Sequence, residues 1–252
     1  MVFYFTGTGN SKYVADYISE KIKDEKVSIN EILKYHKEVS FTSEKPFVIV
    51  APIYAWRLPI VVENFVRRSS FFGSRKLYFI GTMESETGNC DKYCNKLCKA
   101  KGMEFMGFCG VPMPSNYVIS DIMLDEVAIK KKLEEAIPFM EKISNHILNS
   151  NKIYKADKTS ASGIKSGIVN LLFHRFMVSS KDYVVSEECI GCKKCEEICM
   201  MNNISLKDGK PQFADQCTNC YACIHHCPKQ AINIKGKTEG HGRYVCPEYL
   251  AK

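Results

Sequence analysis

Short apolar runs alternate with amphipathic segments over about the first 110 residues. Four of these runs, each ending near Gly or Pro, predict buried strands at residues 2–5, 47–51, 77–81 and 105–109. The segments between them have the helical pattern that covers both faces of a parallel sheet. We therefore predict a doubly wound α/β domain, with a ligand site in the loops beyond the carboxyl ends of its strands.

The periodicity changes after the last of these strands. Apolar residues recur at steps of three and four over residues 129–147, which predicts a long amphipathic helix that contains Pro138. Residues 149–166 are rich in Lys, Ser and Asn and predict a linker, and a short apolar segment follows at 168–178. The chain is thus predicted to comprise a domain at 1–150, a linker with a short helical segment at 151–180, and a smaller domain with a C-terminal tail at 181–252.

The smaller domain contains an internal repeat with a period of 28 residues. The spacing C-x2-C-x2-C-x3-C occurs twice, and a strand-like segment follows each time, at 204–207 and 232–235. Each half is expected to contain a cysteine loop, a short helix and a strand, which describes a small α+β domain. The first set is Cys189, Cys192, Cys195 and Cys199, and the second is Cys217, Cys220, Cys223 and Cys227.

This spacing predicts two [4Fe-4S] clusters. Three thiolates two residues apart wrap one face of a cubane cluster, whereas the fourth of the same run points away and ligates the other cluster. Structural zinc is the alternative, but it needs neither the third cysteine step nor an exchange of ligands between repeats. The predicted ligand sets are Cys189, Cys192, Cys195 and Cys227 for one cluster, and Cys217, Cys220, Cys223 and Cys199 for the other.

These two motifs resemble the bacterial two-cluster ferredoxins, over roughly the last 70 residues. One departure is Met200, where that family usually has proline; Pro228 occupies the corresponding position in the second repeat. The missing proline affects the local turn, and the thiolate of Cys199 stays available as a cluster ligand. Gly191 and Ala222 are small, so backbone N–H groups can approach the cluster sulfurs and influence the potential.

A glycine-rich loop follows the first predicted strand and opens a helix. Its glycines let the backbone approach an anion, the helix start presents unpaired N–H groups, and the other side chains add donors. The loop lacks the Gly-Lys-Ser/Thr ending of a Walker motif and the third glycine of the dinucleotide fingerprint. A phosphate site is predicted, with an ordinary tight turn as the alternative. The loop consists of Thr6, Gly7, Thr8, Gly9, Asn10 and Ser11.

This loop resembles the phosphate loop of flavodoxins, and two further loops extend the resemblance. It implies bound FMN, an aromatic ring stacked on the flavin from the second loop, and backbone contacts to the polar ring edge from the third. Trp56, the only tryptophan, has packing at a domain interface as its alternative role. Residues 113–117 either line the crevice between flavin and clusters or form a plain linker. The implied flavin contacts are Pro52, Tyr54 and Trp56, together with Thr82, Thr87 and Gly88.

Composition narrows the possible partners and location. The formal charge of +7 falls to roughly +1 once two clusters and a flavin phosphate are counted. Because the lysines and arginines are also dispersed, we expect no nucleic-acid partner. No apolar run approaches the roughly 18 residues of a membrane span, and nothing at the start marks export. The cysteines therefore suggest metal binding in a cytoplasmic protein rather than disulfides.

Several other residues receive no functional role. Cys90, Cys94 and Cys98 share one helix face and are either buried thiols or a metal-binding stripe. His225 and His226 are interpreted as an exposed pair. The chain has no Ser-His-Asp set, paired-carboxylate motif or zinc-hydrolase helix, which removes support for hydrolytic chemistry. No catalytic residue is assigned.

Together the two halves resemble the flavodoxin-ferredoxin fusion proteins of anaerobic microbes. The resemblance implies a flavodoxin-like doubly wound parallel sheet, a smaller α+β ferredoxin-like domain, and electron transfer between two [4Fe-4S] clusters and FMN. Such a chain is an electron carrier or the relay component of an oxidoreductase, with a redox protein as partner. The alternatives are an FMN-dependent reductase acting on its own small molecule and a non-redox zinc module.

Overall fold

A computed structural model describes residues 1–120, 124–154 and 165–247. The strands of its first part are β1 (Val2–Tyr4), β2 (Lys26–Ser28), β3 (Ser40–Ser43), β4 (Phe47–Pro52), β5 (Ser70–Gly73), β6 (Lys76–Met83) and β7 (Glu104–Pro112). The helices are α1 (Asn10–Ile22), α2 (Ile29–Tyr35), α3 (Ile60–Arg68), α4 (Cys90–Lys101) and α5 (Glu126–Leu148).

Five of these strands form one parallel sheet in the order β2-β1-β4-β6-β7. Numbered along the chain within that sheet, the order is 2-1-3-4-5, which is the flavodoxin-like doubly wound arrangement. The predicted α/β fold is confirmed. The strand order reverses between β1 and β4, so the loops after these two strands open on the crevice where ligands bind in such sheets.

The strand periodicity of two determines which helices cover each face. On one face, Phe3 and Phe79 pack with the apolar residues of α3 and α4. On the other, Val2 and Tyr78 pack with those of α1 and α5. The central strands are buried on both sides, which explains why they read as continuous apolar runs.

The sequence did not predict three strands, β2, β3 and β5, because none of them contains an apolar run. β2 is the polar edge of the main sheet, and β3 and β5 form a separate parallel pair. Phe41 and Phe71 anchor this pair on Phe3, with ring centroids 4.6 and 6.0 Å from that ring. Tertiary packing of two aromatic rings, rather than local pattern, creates this pair.

Helix α5 confirms the predicted long helix and extends it at the start. Asp125 caps it, since its carboxylate accepts a hydrogen bond of 2.8 Å from the Ala128 N–H. The helix continues through Pro138. Of the predicted linker, residues 155–164 lie outside the described part of the chain, while Ile153 pairs with Gly107 at the sheet edge. A π-helical turn (Lys165–Val169) and α6 (Asn170–Phe176) follow.

The cysteine-rich part is built from two interleaved halves. Its elements are β8 (Tyr183–Val185), α7 (Lys194–Ile198), β9 (Ile204–Lys207), β10 (Lys210–Phe213), α8 (Ala222–His225) and β11 (Ile232–Ile234). β8 pairs with β11, and β10 pairs with β9, both antiparallel. The pairs Val185–Ile232 and Phe213–Ile204 are equivalent under the 28-residue repeat. The predicted α+β domain is confirmed, and its halves exchange strands.

The cysteine-rich part lies against the carboxyl edge of the main sheet. The Lys34 ammonium donates to the carbonyl oxygens of Glu196 and Cys199 at 2.7 and 3.2 Å. After the last predicted cysteine ligand, Cys227, the chain continues to Tyr244 and Cys246, which pack in the core formed by α1 and α5. The C-terminal tail therefore joins the core of the first domain.

Candidate functional site

A cavity of about 400 Å³ occupies the predicted crevice and is called the crevice cavity below. Its size falls in the range of small-molecule and cofactor sites, roughly 300–1,000 Å³. Gly9, Thr87 and Gly88 do not line it; the last two face a neighbouring cavity. The predicted site residues that do line it are Thr6, Gly7, Thr8, Asn10, Ser11, Pro52, Tyr54, Trp56 and Thr82.

The start of α1 supplies donors for an anion in this cavity. Its N-cap residue is Gly9, with φ 103°, so no side chain caps the first helical N–H groups. The described lining contains no Lys or Arg, and its charged residues are Glu84 and Glu86. An anion here would be held by backbone N–H groups and by hydroxyls such as that of Ser11, which lies 2.7 Å from the Thr82 hydroxyl.

Tyr54 provides an unsatisfied polar atom on the cavity wall. Its hydroxyl is buried and has no hydrogen-bond partner in the described ranges of the chain. Burial raises the pKa of Tyr54 well above its usual range, and the neighbouring Cys220 and Tyr221 raise it further. Leaving such a group unpaired costs about 1–3 kcal/mol, so a ligand that accepts its hydrogen bond fits this site.

Trp56 lies between the crevice cavity and the segment that follows the linker. The residue lines the cavity, and its backbone is left-handed, with φ 64°. Its indole N–H donates to the Glu86 carboxylate at 2.9 Å, and its carbonyl accepts from the Ser166 hydroxyl at 3.2 Å. Asn170 also donates to the Ala55 carbonyl at 2.9 Å. The segment after the linker therefore holds the strained turn that presents Trp56.

The far wall of the crevice cavity comes from distant parts of the chain that sequence reasoning missed. Phe173 of α6 and both neighbours of Cys220, Asn219 and Tyr221, line it. Residues 113–117, for which a linker role was the alternative, line it as well. No local signal marks the first three as site residues, because only the packing of α6 and of the cysteine-rich part against the first domain brings them to the crevice.

Residues of the C-terminal tail form hydrogen bonds with the glycine-rich loop. The Tyr244 hydroxyl donates to the Asn10 side-chain oxygen at 2.6 Å, and the Cys246 N–H donates to the Thr8 carbonyl at 2.8 Å. The Thr8 hydroxyl in turn accepts from the Asn116 amide at 2.9 Å. These bonds organise the loop before any ligand arrives.

The interpretation of His225 and His226 as an exposed pair is wrong. His225 is only 5% exposed, and its Nδ1 accepts from the Tyr244 N–H at 3.0 Å. The proton is therefore on Nε2, which donates to the Asn116 carbonyl at 2.9 Å. Burial lowers the pKa of His225 to about 4. His226 Nε2 lies 3.2 Å from the Gly7 carbonyl, so both rings join α8 to the loops of the first domain.

Each predicted set of four cysteines surrounds its own small cavity. The first cysteine cavity is lined by Cys189, Cys192, Cys195 and Cys227, and the second by Cys199, Cys217, Cys220 and Cys223. The fourth cysteine of each run thus lies with the other run, as strand exchange between the halves requires. No three His, Cys, Asp or Glu side chains of the described residues come together closely enough to hold a single metal ion.

The surroundings of the thiols suit sulfur-bound iron. Burial raises the pKa of Cys195 to about 11 and that of Cys220 to about 12, so bound iron must displace their protons. Backbone N–H groups of Asn203 and Ala231 each donate to a cysteine Sγ at 3.3 Å, at positions equivalent under the repeat. These donors are of the kind that stabilise cluster thiolates.

Tyr183 brings a further donor to the second cysteine cavity. Its hydroxyl is buried without a hydrogen-bond partner in the part of the chain that the structure describes. Burial raises the pKa of the Cys217 thiol, whereas the Asn219 backbone N–H and the Tyr183 hydroxyl lower it, and Tyr183 and Cys217 line the same cavity. A thiolate at Cys217 would therefore accept the unused hydrogen bond of Tyr183.

The three cysteines on α4 are buried, as one of the two interpretations expected. Cys90, Cys94 and Cys98 are at most 1% exposed and belong to the core beneath the main sheet. Burial raises the pKa of Cys98 to about 12. They pack as small apolar side chains.

The fold and the two cysteine cavities define a two-domain protein of flavodoxin and ferredoxin type. Residues 1–111 match the family described as the flavodoxin domain, and residues 188–232 match the 4Fe-4S dicluster domain. The chain has an N-terminal flavodoxin domain and a C-terminal 4Fe-4S dicluster ferredoxin domain, as the resemblance implied.

Similar proteins cover parts of the chain. One subunit of an ion-translocating oxidoreductase complex from Methanosarcina acetivorans is 40% identical over 48 residues, 19% of this chain and 18% of that protein. A ferredoxin-like protein in the nif region of Trichormus variabilis is 33% identical over 49 residues, 19% of this chain and 42% of that one. The chain thus spans about a fifth and about two fifths of these relatives.

Solved flavodoxin structures resemble the first half. Two-electron reduced flavodoxin from Megasphaera elsdenii is 19% identical, over 54% of this chain and 95% of its own, with a TM-score of 0.32. A flavodoxin from the domain Archaea is 15% identical, over 58% of this chain and 96% of its own, with a TM-score of 0.33.

Within the described ranges, no helix has the length and apolarity that a membrane crossing requires.

Proposed function

We propose that this chain transfers electrons between two [4Fe-4S] clusters and one FMN, as a carrier or as the relay component of an oxidoreductase. One observation carries the proposal: the crevice cavity and the second cysteine cavity share Tyr221 as a common wall. A flavin and a cluster in these two cavities would be separated by little more than one side chain and the Cys220 loop.

In this proposal, different loops bind the flavin phosphate, the flavin ring and the clusters. The loop at 6–11 holds the flavin phosphate, Tyr54 and Trp56 face the ring, and the loop that begins at Thr82 lies along its edge. The eight cysteines of the two cavities hold the clusters. When bound, the clusters supply one-electron steps, and the flavin supplies one- or two-electron steps.

Packing between the domains keeps these sites at a constant separation. His226 lies against the Gly7 carbonyl, and the bonds of Tyr244 and Cys246 hold the glycine-rich loop from the tail. Such an arrangement removes the diffusional search between donor and acceptor that separate proteins need. The chain's role is to hold and orient the two kinds of centre and to shield them from water.

The adjoining cluster site favours the relay over a reductase with its own small substrate. Such a reductase needs open space above the flavin ring, whereas Asn219 and Tyr221 of the cysteine-rich part occupy one wall of the crevice cavity. The cavity volume of about 400 Å³ lies in the range of cofactor sites, roughly 300–1,000 Å³. The match to the 4Fe-4S dicluster family disfavours the zinc module.

Cofactor content tests the proposal directly. Protein purified without oxygen should contain about eight irons with matching sulfide, together with one FMN per chain. Stepwise reduction followed by visible and EPR spectroscopy should then show electrons shared between flavin and clusters of the same molecule. Zinc in place of iron, or iron without any flavin, would overturn the relay.

A further inference from the structure

The two cysteine cavities differ in their access to solvent. The described residues that line the second cavity include no exposed side chain and no charged one. The first cavity opens to solvent: Cys192 is exposed, and Ile190 is 61% exposed. A protein partner can therefore approach the first cavity more closely than the second.

The second cavity, in contrast, adjoins the crevice cavity. The two share Tyr221, and the carbonyl of Cys220 packs on Gly7, which lines the crevice cavity. The first cysteine cavity shares no described lining residue with the crevice cavity. Because electron transfer slows steeply with distance, these positions order the sites as first cavity, second cavity, flavin.

The rim of the first cavity is positively charged. Lys193, Lys194 and Lys229 are exposed and line it, and no described Asp or Glu does. Of the carboxylates close to this rim in sequence, that of Glu187 is paired with the Lys210 ammonium at 3.2 Å, while those of Glu188 and Glu197 belong to exposed residues outside the cavity lining. We name the exposed residues Ile190, Lys193, Lys194 and Lys229 the lysine rim.

Resting on the proposed function, we propose that the lysine rim docks an acidic one-electron carrier protein, which exchanges electrons with the flavin through the first and then the second cysteine cavity. The apolar Ile190 would form the dry centre of the contact, and the lysines would steer the carrier. Each encounter moves one electron: the carrier is oxidised and this chain is reduced by one, with no bond made or broken. Two encounters are needed to reduce the flavin fully, with protons taken from water.

Charge reversal at the rim tests the proposal. Lys194→Glu/Lys229→Glu is the informative double variant, since Lys193 has a left-handed backbone, with φ 64°, and is left in place. The matched control is Lys130→Glu/Lys131→Glu, two exposed lysines of α5 in the first domain. The electron donors are a reduced acidic two-cluster ferredoxin and, for comparison, reduced methyl viologen, which is a cation.

We expect the rim variant to lower the second-order rate of flavin reduction by the acidic ferredoxin about tenfold or more at low salt, with the difference shrinking as salt rises. Its rate with methyl viologen should not fall, and the control variant should stay within about twofold of the parent for both donors. A separate readout is complex formation with oxidised ferredoxin by calorimetry, which the rim variant should weaken.

Two outcomes overturn the docking proposal: equal effects of rim and control variants, or unchanged binding of the ferredoxin by the rim variant. If the rim variant loses cofactors, single Lys229→Glu, in an exposed loop, replaces it. Failure of the proposed function would look different, because the parent protein would then lack flavin or iron on analysis, and methyl viologen would reduce only the kind of centre that is present.

Discussion

The carbonyl oxygen of Cys220 occupies the space that a β-carbon on Gly7 would need. Gly7 belongs to the glycine-rich loop of the flavodoxin domain, and Cys220 lines the second cysteine cavity. The two sites thus meet through backbone atoms. Glycine at this position is therefore required by the contact between the domains.

Gly7→Ala should loosen this contact. A β-carbon there meets backbone, which cannot move as a flexible side chain can, and overpacking of this kind costs about 1–3 kcal/mol. We expect a lower urea midpoint and weaker retention of FMN. Gly167→Ala is the control, because its β-carbon would find only the Tyr93 hydroxyl, at 3.8 Å. Equal stability of both variants would contradict the tight contact.

Cys227→Ser should damage the cluster of the first cysteine cavity, although Cys227 belongs to the second run. EPR of the reduced protein should lose or alter one cluster signal, and that signal should be the one also affected by Cys192→Ser. Cys109→Ser, outside both cavities, should keep both signals. A Cys227→Ser spectrum that instead matches Cys217→Ser would disprove the ligand exchange.

Tyr183→Phe should lower the reduction potential of the cluster in the second cavity. Hydrogen bonds to cluster sulfurs raise the potential, and the buried hydroxyl of Tyr183 belongs to a residue that lines the same cavity as Cys217. One bond of about 1 kcal/mol corresponds to a shift of tens of millivolts. Redox titration followed by EPR measures it, with exposed Tyr35→Phe as control. An unchanged potential would show that this hydroxyl makes no such bond.

Tyr54→Phe should weaken FMN binding without lowering the stability of the flavin-free protein. Without flavin, loss of a buried hydroxyl that has no partner in the described chain should not lower stability. With flavin, loss of one hydrogen bond should weaken FMN binding about threefold to tenfold. Fluorescence titration of flavin-free protein gives the affinity, and urea unfolding gives the stability. An FMN affinity equal to that of the parent would show that the Tyr54 hydroxyl donates no hydrogen bond to FMN.

Asp16→Asn should destabilise the flavodoxin domain at neutral pH. Burial raises the pKa of Asp16, but hydrogen bonds from Lys12, at 2.7 Å, and Lys26 outweigh it, and the pKa lies below the usual 3.8. The carboxylate therefore adds stability above the unfolded value of about 3.9, and this is lost as pH falls through the lower folded value.

We expect Asp16→Asn to lose about 1–3 kcal/mol at pH 7 and to differ progressively less from the parent as the pH is lowered below about 4. Urea unfolding across this range measures both effects. Asp182→Asn, at an exposed position, should change neither. A constant difference between Asp16→Asn and the parent at every pH would mean that the ion pairs do not account for the loss.

Local pattern was enough to predict the elements that carry the chemistry. The four strands predicted from apolar runs, β1, β4, β6 and β7, and the helix α5 are all present, and the 28-residue repeat predicted both cysteine sets. Equivalent backbone conformations support that repeat, since Gly191 and Asn219 are both left-handed, with φ of 64° and 51°. Asn tolerates this region better than most residues, so the glycine of one half does not need to recur in the other.

Local pattern failed where burial comes from another part of the chain. His225 and His226 lie between Cys223 and Cys227 and were expected at the surface, yet contacts with Asn116 and Gly7 bury the first and half-bury the second. β3 and β5 exist because Phe41 and Phe71 meet on Phe3. None of these pairs shares a sequence window.

The amino-acid sequence by itself determined the two domain types, the glycine-rich loop and the two sets of thiols, because each depends on the spacing of neighbouring residues. Only the tertiary structure decided that Tyr221, Asn219 and Phe173 line the crevice cavity, and that one cysteine cavity adjoins it while the other has exposed lining residues. The reason is physical: spacing along a chain sets local geometry, whereas the distance between two sites depends on how separately folded segments pack.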